Sequence, residues 1–386
     1  MVYYLDNNAS TKSDPAVVDA MMPWLDGTKF GNPHAGHFMG AVHREAMDVA
    51  RMQILDTMCL SSSLFKCIFT SSASESNNMA VKGAVFAAIR RNASATIVCS
   101  PVEHGSVDGA IAWLVAMFKI GVIVLPVDAH GVVELNNVKL PADTCLVTCI
   151  HTVAETGAVQ PVAALGALVR SQCPEAVYHV DAAQSVGKLM DLTELGCADL
   201  ITVAAHKFHG PKGVGALVVR NSAIDRIDPL IHGAGQEYGL RGGSENVAFI
   251  VGIGEAADRA KGGFGPEPAQ ALWKTLSAAL VTAGIDHRLN STAPNKSPST
   301  INFSVAHLNG PAVVSKAGRG ESPVCFSAGS ACHSRGGPTP SKVLEAMNLE
   351  LKYAASGLRL SINKHMTVDE AVEAGNIVAN ILIDFR

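Results

Sequence analysis

The sequence predicts an α/β fold in two domains, and three observations lead to it. Short apolar runs alternate with amphipathic helical patterns between residues 65 and 220, as they do where crossover helices join parallel strands. Beyond residue 220 this alternation stops. With 386 residues, 48% of them hydrophobic, the chain is too long for one small core. We expect a large domain with a largely parallel sheet over residues 16–262 and a smaller α+β domain over residues 263–386, against which residues 1–15 pack.

Each predicted element has its own signal. Short runs rich in apolar and β-branched residues, bounded by polar turns, indicate strands, whereas apolar residues spaced three and four apart indicate helices. The Gly/Pro-rich residues 262–266 indicate the hinge between the domains. Strands are predicted over 67–70, 96–100, 122–125, 146–150, 176–181, around 201–203, 215–219, 299–305 and 357–362. Helices are predicted over 15–22, 41–58, 79–91, 106–118, 162–171, 247–261, 268–283, near 340–347 and over 367–383.

Candidate functional residues lie at or just beyond the ends of the predicted strands in the large domain. Parallel strands place their carboxyl ends at one edge of a sheet, where ligands bind in such folds. We therefore expect one site at this edge, where Thr70, Cys99 with His104, Ile150, Asp181 and Lys207 lie.

Composition excludes several classes of function. The net charge is −4 and there is no basic run, so a nucleic-acid surface is not expected. The longest apolar region, residues 110–127, contains Lys119, which argues against a membrane span. The N-terminus has neither the basic nor the apolar part of a secretory signal, so we expect no export.

The nine cysteines include no CxxC pair, which indicates reduced thiols in a cytoplasmic compartment. A metal site is not expected, since Cys325, Cys332 and His333 lack a second ligand pair with zinc-like spacing. Seven cysteines in apolar contexts are expected to be small core residues. They are Cys59, Cys67, Cys99, Cys145, Cys149, Cys173 and Cys197.

Lys207 and Asp181 are the most informative pair. Lys207 follows a buried strand and stands beside His206, a second potential cation. Desolvation and a neighbouring charge would favour the neutral amine that imine chemistry requires. Asp181 ends another apolar strand, with Gln184 one helical turn later. This pair suits pyridoxal phosphate (PLP), with the carboxylate on the pyridine nitrogen and the lysine on the aldehyde. The alternative is a capping aspartate and an ordinary turn lysine.

Two polar loops are further candidates. Residues 71–78 carry small hydroxyl side chains at a strand-to-helix junction, which predicts an anion site for a phosphate ester. The alternative is a plain serine N-cap. Residues 31–37, rich in Asn and His, are either an active-site rim or an ordinary turn.

The order and spacing of several motifs resemble those of the NifS/IscS-type cysteine desulfurases, which include the related selenocysteine lyases. This family belongs to class V of the aminotransferase-like, fold-type I PLP enzymes. The likeness runs over nearly the whole chain and implies a sheet of seven mostly parallel strands and a homodimer. The motifs are residues 5–9, 69–78, 103–104, 181–184, 206–213, 240–246, 329–332 and 358–361.

The resemblance implies a role for each residue of the coenzyme site. Lys207 is the Schiff-base lysine, Asp181 is the partner of the pyridine nitrogen, and His104 stacks on the ring. His104 or the freed Lys207 shifts the substrate's α-proton. The remaining coenzyme contacts are Gln184 toward the ring hydroxyl, Ala73, Ser74 and His206 toward the phosphate, and Ser244 from the other subunit.

On the substrate side, the resemblance implies that Arg359 clamps the substrate carboxylate as a bidentate fork, with Asn32 as a second contact. Cys332 is the nucleophile, and the cations His333 and Arg335 near it would raise its thiolate fraction. Its thiolate attacks the γ sulfur of L-cysteine, L-alanine leaves, and a persulfide remains on Cys332 for an acceptor protein.

The sequence departs from the family pattern at four positions. Val153 and Ala154 stand where the family usually has two asparagines, Ala204 replaces a serine, and Ser72 replaces a glycine. The second asparagine ordinarily lies near the ring hydroxyl and the substrate carboxylate. We therefore expect weaker or differently tuned binding of coenzyme and substrate.

Several functions remain open from the sequence. The leading one is a desulfurase that supplies sulfur for iron–sulfur clusters or thio-modification. A selenocysteine lyase is the closest alternative, because residues 331–334 (Ala-Cys-His-Ser) look more like that branch. Other possibilities are an aminotransferase- or decarboxylase-like enzyme with an incidental Cys332, and a non-catalytic scaffold.

Overall fold

The computed structural model describes residues 2–91, 95–319, 324–329 and 340–385. The described chain forms two lobes, and each lobe has its own hydrophobic core. Ala260 belongs to the core of the large lobe and Ala269 to that of the small lobe, so we keep residue 262 as the proposed boundary. A smaller apolar cluster joins the lobes, with Ile150 on one side and Leu344 on the other.

A seven-stranded sheet forms the centre of the large lobe. Its strands are rich in Val, Ile and Cys. Apart from the exposed edge strand over residues 121–124, they are almost completely buried, as strands covered by helices on both faces must be. The first eight strands of the chain, of which β1 lies outside this sheet, are β1 (Tyr3–Tyr4), β2 (Phe65–Thr70), β3 (Thr96–Cys99), β4 (Gly121–Val124), β5 (Thr144–Ile150), β6 (Val177–Asp181), β7 (Leu200–Ala204) and β8 (Gly215–Arg220). The order across the sheet is β2-β8-β7-β6-β5-β3-β4.

Only β8 runs against the other strands of this sheet, since it is antiparallel to both β2 and β7. The predicted α/β class and the mostly parallel sheet are confirmed. The helices of the large lobe are α1 (Pro15–Met21), α2 (Phe38–Thr57), α3 (Ala73–Arg90), α4 (Gly105–Phe118), α5 (Val162–Gln172) and α6 (Val247–Arg259).

The small lobe contains a four-stranded antiparallel sheet in the order β12-β13-β10-β9. The remaining strands are β9 (His287–Leu289), β10 (Thr300–Val305), β11 (Val324–Cys325), β12 (Ser327–Ala328) and β13 (Gly357–Ser361). The remaining helices are α7 (Glu267–Thr282), α8 (Gly310–Ala317), α9 (Lys342–Ala346), α10 (Leu351–Ala354) and α11 (Val368–Asp384). The sequence did not predict β9, α8 or α10, which are short and weakly patterned.

The N-terminal segment packs into the small lobe before it enters the large one. Strand β1 pairs in parallel with β11, and Leu5 is fully buried in the small-lobe core. Asp6 then forms a bridge with Ser361 of β13. Residues 3–8 are therefore held by strands that come from the far end of the chain.

The prediction that seven cysteines are core residues is wrong for Cys59. Its side chain is exposed, because the residue follows the end of α2 in a left-handed backbone conformation with φ +55°. The other six are buried or half-buried. No helix within the described residues is long and apolar enough to cross a membrane.

Candidate active site

The carboxyl ends of the central strands place the predicted residues at one edge of the sheet. Asp181 is the last residue of β6, and in the strand register it lies opposite Ile150 of β5 and Thr202 of β7. Lys207 ends the short 3₁₀ turn, residues 205–207, that follows β7. These positions agree with the sequence expectation of a site at this edge.

Asp181 is a buried carboxylate that has only neutral hydrogen-bond donors. Its exposed fraction is 2%. Asn77 Nδ2 donates to Oδ2 at 2.8 Å, and the backbone N–H of Ala183 donates to Oδ1 at 3.0 Å. Among the described residues, no lysine, arginine or histidine forms an ion pair with it. A carboxylate in this setting fits a ligand that brings a positive charge.

Lys207 lies beside the N-terminal segment. Its Nζ donates to the backbone carbonyls of Asn8 at 2.6 Å and Ala9 at 2.9 Å. The Asn8 carbonyl also accepts from Gln184 Nε2 at 2.9 Å. One backbone oxygen therefore joins the candidate Schiff-base lysine to the candidate ring-hydroxyl ligand.

A second lysine, Lys188, shares the same asparagine. Its side chain is 3% exposed, and its Nζ donates to Asn8 Oδ1 at 2.8 Å and to Gln184 Oε1. Burial, followed by the charge of Lys207, lowers the pKa of Lys188 well below its usual range. Both acceptors are neutral amides, so neither compensates a positive charge on this lysine.

The candidate phosphate site is the start of α3, and here the structure corrects the sequence prediction. The helix begins at Ala73, not at residue 79, because the Ser72 side chain caps it and accepts the N–H of Glu75 at 3.3 Å. The polar residues 74–78, which suggested a loop, form its first turns. Ala73 and the exposed Ser74 thus lie where helix N–H groups have no intrahelical acceptor, which suits a phosphate.

Strand β8 supports this turn from behind. A Cβ placed on Gly215 would lie 2.7 Å from the carbonyl carbon of Ser72 and 2.8 Å from the nitrogen of Ala73. Only glycine permits so close an approach of the strand to the turn.

His206 is half-buried next to Lys207. Burial, followed by the nearby Lys207, lowers its pKa to about 4. The sequence interpretation of His206 as a second cation is therefore wrong near neutral pH. The neutral ring lies 3.2 Å from Ser10 Oγ through Nδ1, and a neutral histidine can still donate a hydrogen bond to a phosphate.

His104 precedes α4 and acts as its N-cap. Its Nδ1 accepts the backbone N–H of Ser106 at 3.1 Å and lies 2.7 Å from Ser106 Oγ. The residue is exposed at the edge of the sheet that holds Asp181, as the resemblance requires of a ring that stacks on a coenzyme.

Arg359 lies in β13 of the small lobe and is 3% exposed. Its Nη2 donates to Asp6 Oδ1 at 2.8 Å and to Ser327 Oγ at 3.3 Å, and its Nη1 donates to the carbonyl of Ala154 at 3.2 Å. Its Nε is buried without a hydrogen-bond partner in the described part of the chain. The guanidinium thus keeps donor capacity for a carboxylate.

Asn32 and Ser244 lie on two exposed loops that contact each other. His34 Nε2 lies 2.6 Å from Glu245 Oε1, whose side chain is 4% exposed. Asn32 uses its side-chain oxygen within its own loop, where it accepts the N–H of His34 at 2.8 Å. Within the described residues, neither Asn32 nor Ser244 hydrogen-bonds to Lys207, Asp181 or Arg359.

Cys332, His333 and Arg335 lie outside the described residues. The described residues on both sides of their segment are held by hydrogen bonds. Gly329 donates to the carbonyl of Gly357 at 3.0 Å, and Ser341 Oγ donates to the buried Glu155 Oε2 at 2.6 Å.

Sequence reasoning missed four residues of this network: Asn8, Asn77, Ser106 and Lys188. Asn8 and Asn77 lie within quoted motifs but were given no role. Ser106 and Lys188 follow His104 and Gln184 at spacings of two and four residues. For Lys188, a polar side chain one helical turn after a candidate residue is the signal that could have identified it.

The chain is similar to several known proteins over nearly its whole length. The family model for aminotransferase class-V matches residues 3–373. The cysteine desulfurase IscS of Dictyoglomus turgidum is 35% identical over 99% of this chain and 95% of its own length. A solved NifS-like protein has a TM-score of 0.85 at 31% identity, with 99% of both chains covered. SspA, solved in complex with cysteine, has a TM-score of 0.78 at 32% identity, covering 95% of this chain and 100% of that one.

Proposed function

Because the chain belongs to the class-V aminotransferases and, within them, to the NifS/IscS-type cysteine desulfurases, we propose that it is a PLP-dependent enzyme that converts L-cysteine to L-alanine. The sulfur would remain as a persulfide on Cys332 until an acceptor protein takes it. The single observation that carries this proposal is the buried Asp181, which forms no ion pair that the described residues show and lies at the same sheet edge as Lys207.

The residues present fit PLP. Asp181 would pair with the protonated pyridine nitrogen. Gln184, which shares the Asn8 carbonyl with Lys207, would face the ring hydroxyl. The start of α3 and His206 would hold the phosphate. When bound, PLP supplies an electron-withdrawing ring that makes the α-proton of an amino acid acidic. The protein would hold the ring and the phosphate of the coenzyme and supply the amine of Lys207 for its aldehyde.

Arg359 would bind the substrate carboxylate. Asp6, Ser327 and the Ala154 carbonyl fix the plane of the guanidinium from the protein side. A planar fork held in this way recognises a carboxylate by geometry as well as by charge. The carboxylate would thus be oriented by the small lobe and the reacting centre by the large lobe.

Cys332 is the best candidate for the sulfur carrier, because most described cysteines have protonated thiols. Burial raises the pKa of Cys67, Cys99 and Cys145 to about 12 and that of Cys149 well above its usual range. A thiolate, not a thiol, is the nucleophile.

We further propose a homodimer in which the surface that carries Asn32 and Ser244 completes the partner's site. Its support is that Asn32 and Ser244 are exposed and form no hydrogen bond to Lys207, Asp181 or Arg359 of their own chain within the described residues. Since the Cys332 thiol must be reduced to act, the proposal requires a reducing compartment such as the cytoplasm. Iron–sulfur cluster assembly and thio-modification are the candidate uses of the sulfur.

The test is to incubate the full chain, loaded with PLP, with L-cysteine and to measure alanine together with the mass of the protein. We expect alanine and a gain of one sulfur on Cys332. Lys207→Ala should abolish both and prevent borohydride from fixing the coenzyme to the chain. Cys332→Ala should keep the coenzyme absorbance but lose the persulfide, whereas the exposed control Cys59→Ala should behave like the wild type.

Other outcomes would overturn the proposal. Formation of a keto acid without a persulfide would favour an aminotransferase. Selenium release from L-selenocysteine that persists in Cys332→Ala, without sulfur release from cysteine, would favour a selenocysteine lyase. A protein that binds no PLP would point to a scaffold.

A further inference from the structure

A chain of hydrogen bonds links Asp181 to His104 across the proposed coenzyme site. Asn77 Nδ2 donates to Asp181 Oδ2 at 2.8 Å and also to Ser106 Oγ at 2.9 Å. Ser106 Oγ in turn lies 2.7 Å from His104 Nδ1. The residue that would face the pyridine nitrogen and the residue that would stack on the ring are therefore joined through two side chains of α3 and α4.

The orientation of the Asn77 amide is fixed by its surroundings. The side chain is fully buried, and its two N–H groups have one acceptor each. Rotation of the amide would place its oxygen against the Asp181 carboxylate, where two acceptors would repel each other. The remaining oxygen, Oδ1, is buried without a hydrogen-bond partner in the described part of the chain, which shows that the two donor contacts determine the orientation.

The donors around His104 then decide where its ring proton lies. The backbone N–H of Ser106 can only donate, and it points to Nδ1 at 3.1 Å. Because Ser106 Oγ accepts from Asn77, its own O–H is free to donate to the same nitrogen. Two donors directed at Nδ1 require a lone pair there, and a neutral imidazole must then carry its proton on Nε2.

We infer that Asn77 and Ser106 are positioning residues that hold His104 in the tautomer protonated at Nε2. The inference builds on the proposed function by assigning the roles of two residues. His104 offers an N–H on the side of the ring away from α4, and a proton on Nδ1 would displace both donors. Of the two candidates for taking the substrate's α-proton, the acceptor is therefore Lys207, while His104 serves as a hydrogen-bond or proton donor.

The tautomer can be measured without substrate or coenzyme. The full chain is labelled with ¹⁵N-histidine, and the His104 signals are assigned by their loss in His104→Gln. Two-bond ¹H–¹⁵N correlations then show which ring nitrogen is protonated. We expect protonation at Nε2 with and without PLP. Protonation at Nδ1, or an equal mixture of the two tautomers, would overturn the inference.

Variants separate positioning from general structure. Ser106→Ala removes the hydroxyl and the link to Asn77 but keeps the backbone donor, so the His104 signals should shift toward the average of the two tautomers. Loss of about one neutral hydrogen bond should lower the alanine-forming rate about threefold to tenfold. Ser106→Thr restores the hydroxyl and should restore both readouts.

Asn78→Ala is the matched control on α3, since the Asn78 amide bonds to the carbonyl of Ser74 instead of to Ser106. It should leave the His104 signals unchanged. Unchanged signals in Ser106→Ala would contradict the role of the hydroxyl. Because the spectra need no turnover, failure of the desulfurase proposal and failure of this inference are distinguishable.

Discussion

The two lobes each bury one charged residue of the site, but they treat the charge differently. Asp181 of the large lobe is 2% exposed and receives only neutral donors from the described residues. Arg359 of the small lobe is 3% exposed and forms an ion pair with Asp6 at 2.8 Å. The large-lobe charge is thus left for a ligand, whereas the small-lobe charge is already partly compensated.

The two halves of the site therefore differ in how far a bound ligand is needed to compensate a buried charge. An unpaired buried carboxylate costs free energy until a cation arrives. A paired guanidinium is stable in the empty protein and has to share its donors when a carboxylate binds. The coenzyme half should therefore respond to substitution mainly in activity, and the substrate half in stability as well.

The largest effect is expected for Asp181→Asn. Loss of the charge that stabilises a protonated ring should lower alanine formation by about 10²- to 10³-fold, while the free energy of unfolding of the coenzyme-free protein should not fall. Asp199→Asn is the matched control, because this buried aspartate of the same lobe lies 2.8 Å from Arg170. The control should lose about 3 kcal/mol in its free energy of unfolding and keep its coenzyme spectrum. Loss of stability in Asp181→Asn and loss of the coenzyme spectrum in Asp199→Asn would contradict the proposed difference.

Arg359→Ala tests the compensated charge in the small lobe. It leaves Asp6 without its cation, and we expect a loss of about 2–3 kcal/mol in the free energy of unfolding by urea, together with a higher KM for cysteine. Arg288→Ala, which replaces an exposed arginine on β9 of the same sheet, should change neither quantity. An unchanged free energy of unfolding in Arg359→Ala would contradict the conclusion that Asp6 compensates the charge of Arg359.

His179→Asn tests how a buried histidine of the large lobe contributes to the pH dependence of folding stability. This fully buried ring lies between Thr148 and Thr202, and burial lowers its pKa to about 4. The unfolded chain takes up the proton near pH 6.5, so the stability of the folded chain falls as pH drops from about 6.5 to 4, by at most about 3 kcal/mol.

The variant should flatten this part of the pH–stability curve measured by urea unfolding. His206, with a pKa of about 4, remains as a second contributor over the same pH range. An unchanged slope between pH 6.5 and 4 would show that His179 is not responsible for the acid sensitivity.

Lys188→Met should have a moderate effect. The substitution removes the amine donor and leaves Gln184 Oε1 without a donor among the described residues, at a cost of about 1–3 kcal/mol. The lysine–coenzyme absorbance should shift in the variant, because Asn8 also holds Lys207. Lys261→Met, an exposed lysine bonded to Asp258, is the control, and equal effects of the two variants would rule out the special position of Lys188.

The smallest expected effect is that of Ala154→Asn. The half-buried Ala154 already offers its carbonyl to both Asn8 and Arg359. An added amide here should tighten substrate or coenzyme binding by about threefold, as measured by titration. Unchanged affinity, already of ordinary strength in the wild type, would contradict the expectation that the departures from the family pattern weaken binding.

Much of the large-lobe half could be predicted from the sequence, because apolar strands that end in single polar residues are a local signal. Asp181, Lys207 and the parallel sheet follow from that signal. The helix start at Ala73 was missed, since a run of serines and asparagines favours loops as well as helix N-termini. Asn8, Asn77 and Ser106 acquire their roles through bonds between distant segments, which no local spacing encodes.

The threading of the N-terminal segment has a consequence for biosynthesis. The backbone N–H of Asn8 bonds to the side chain of Ser361, 353 positions further along the chain. Asn8 must therefore wait for Ser361 before it can dock, and closing so long a loop is slow. Because the carbonyls of Asn8 and Ala9 accept from Lys207, the nascent chain cannot position this lysine fully until Ser361 has been made.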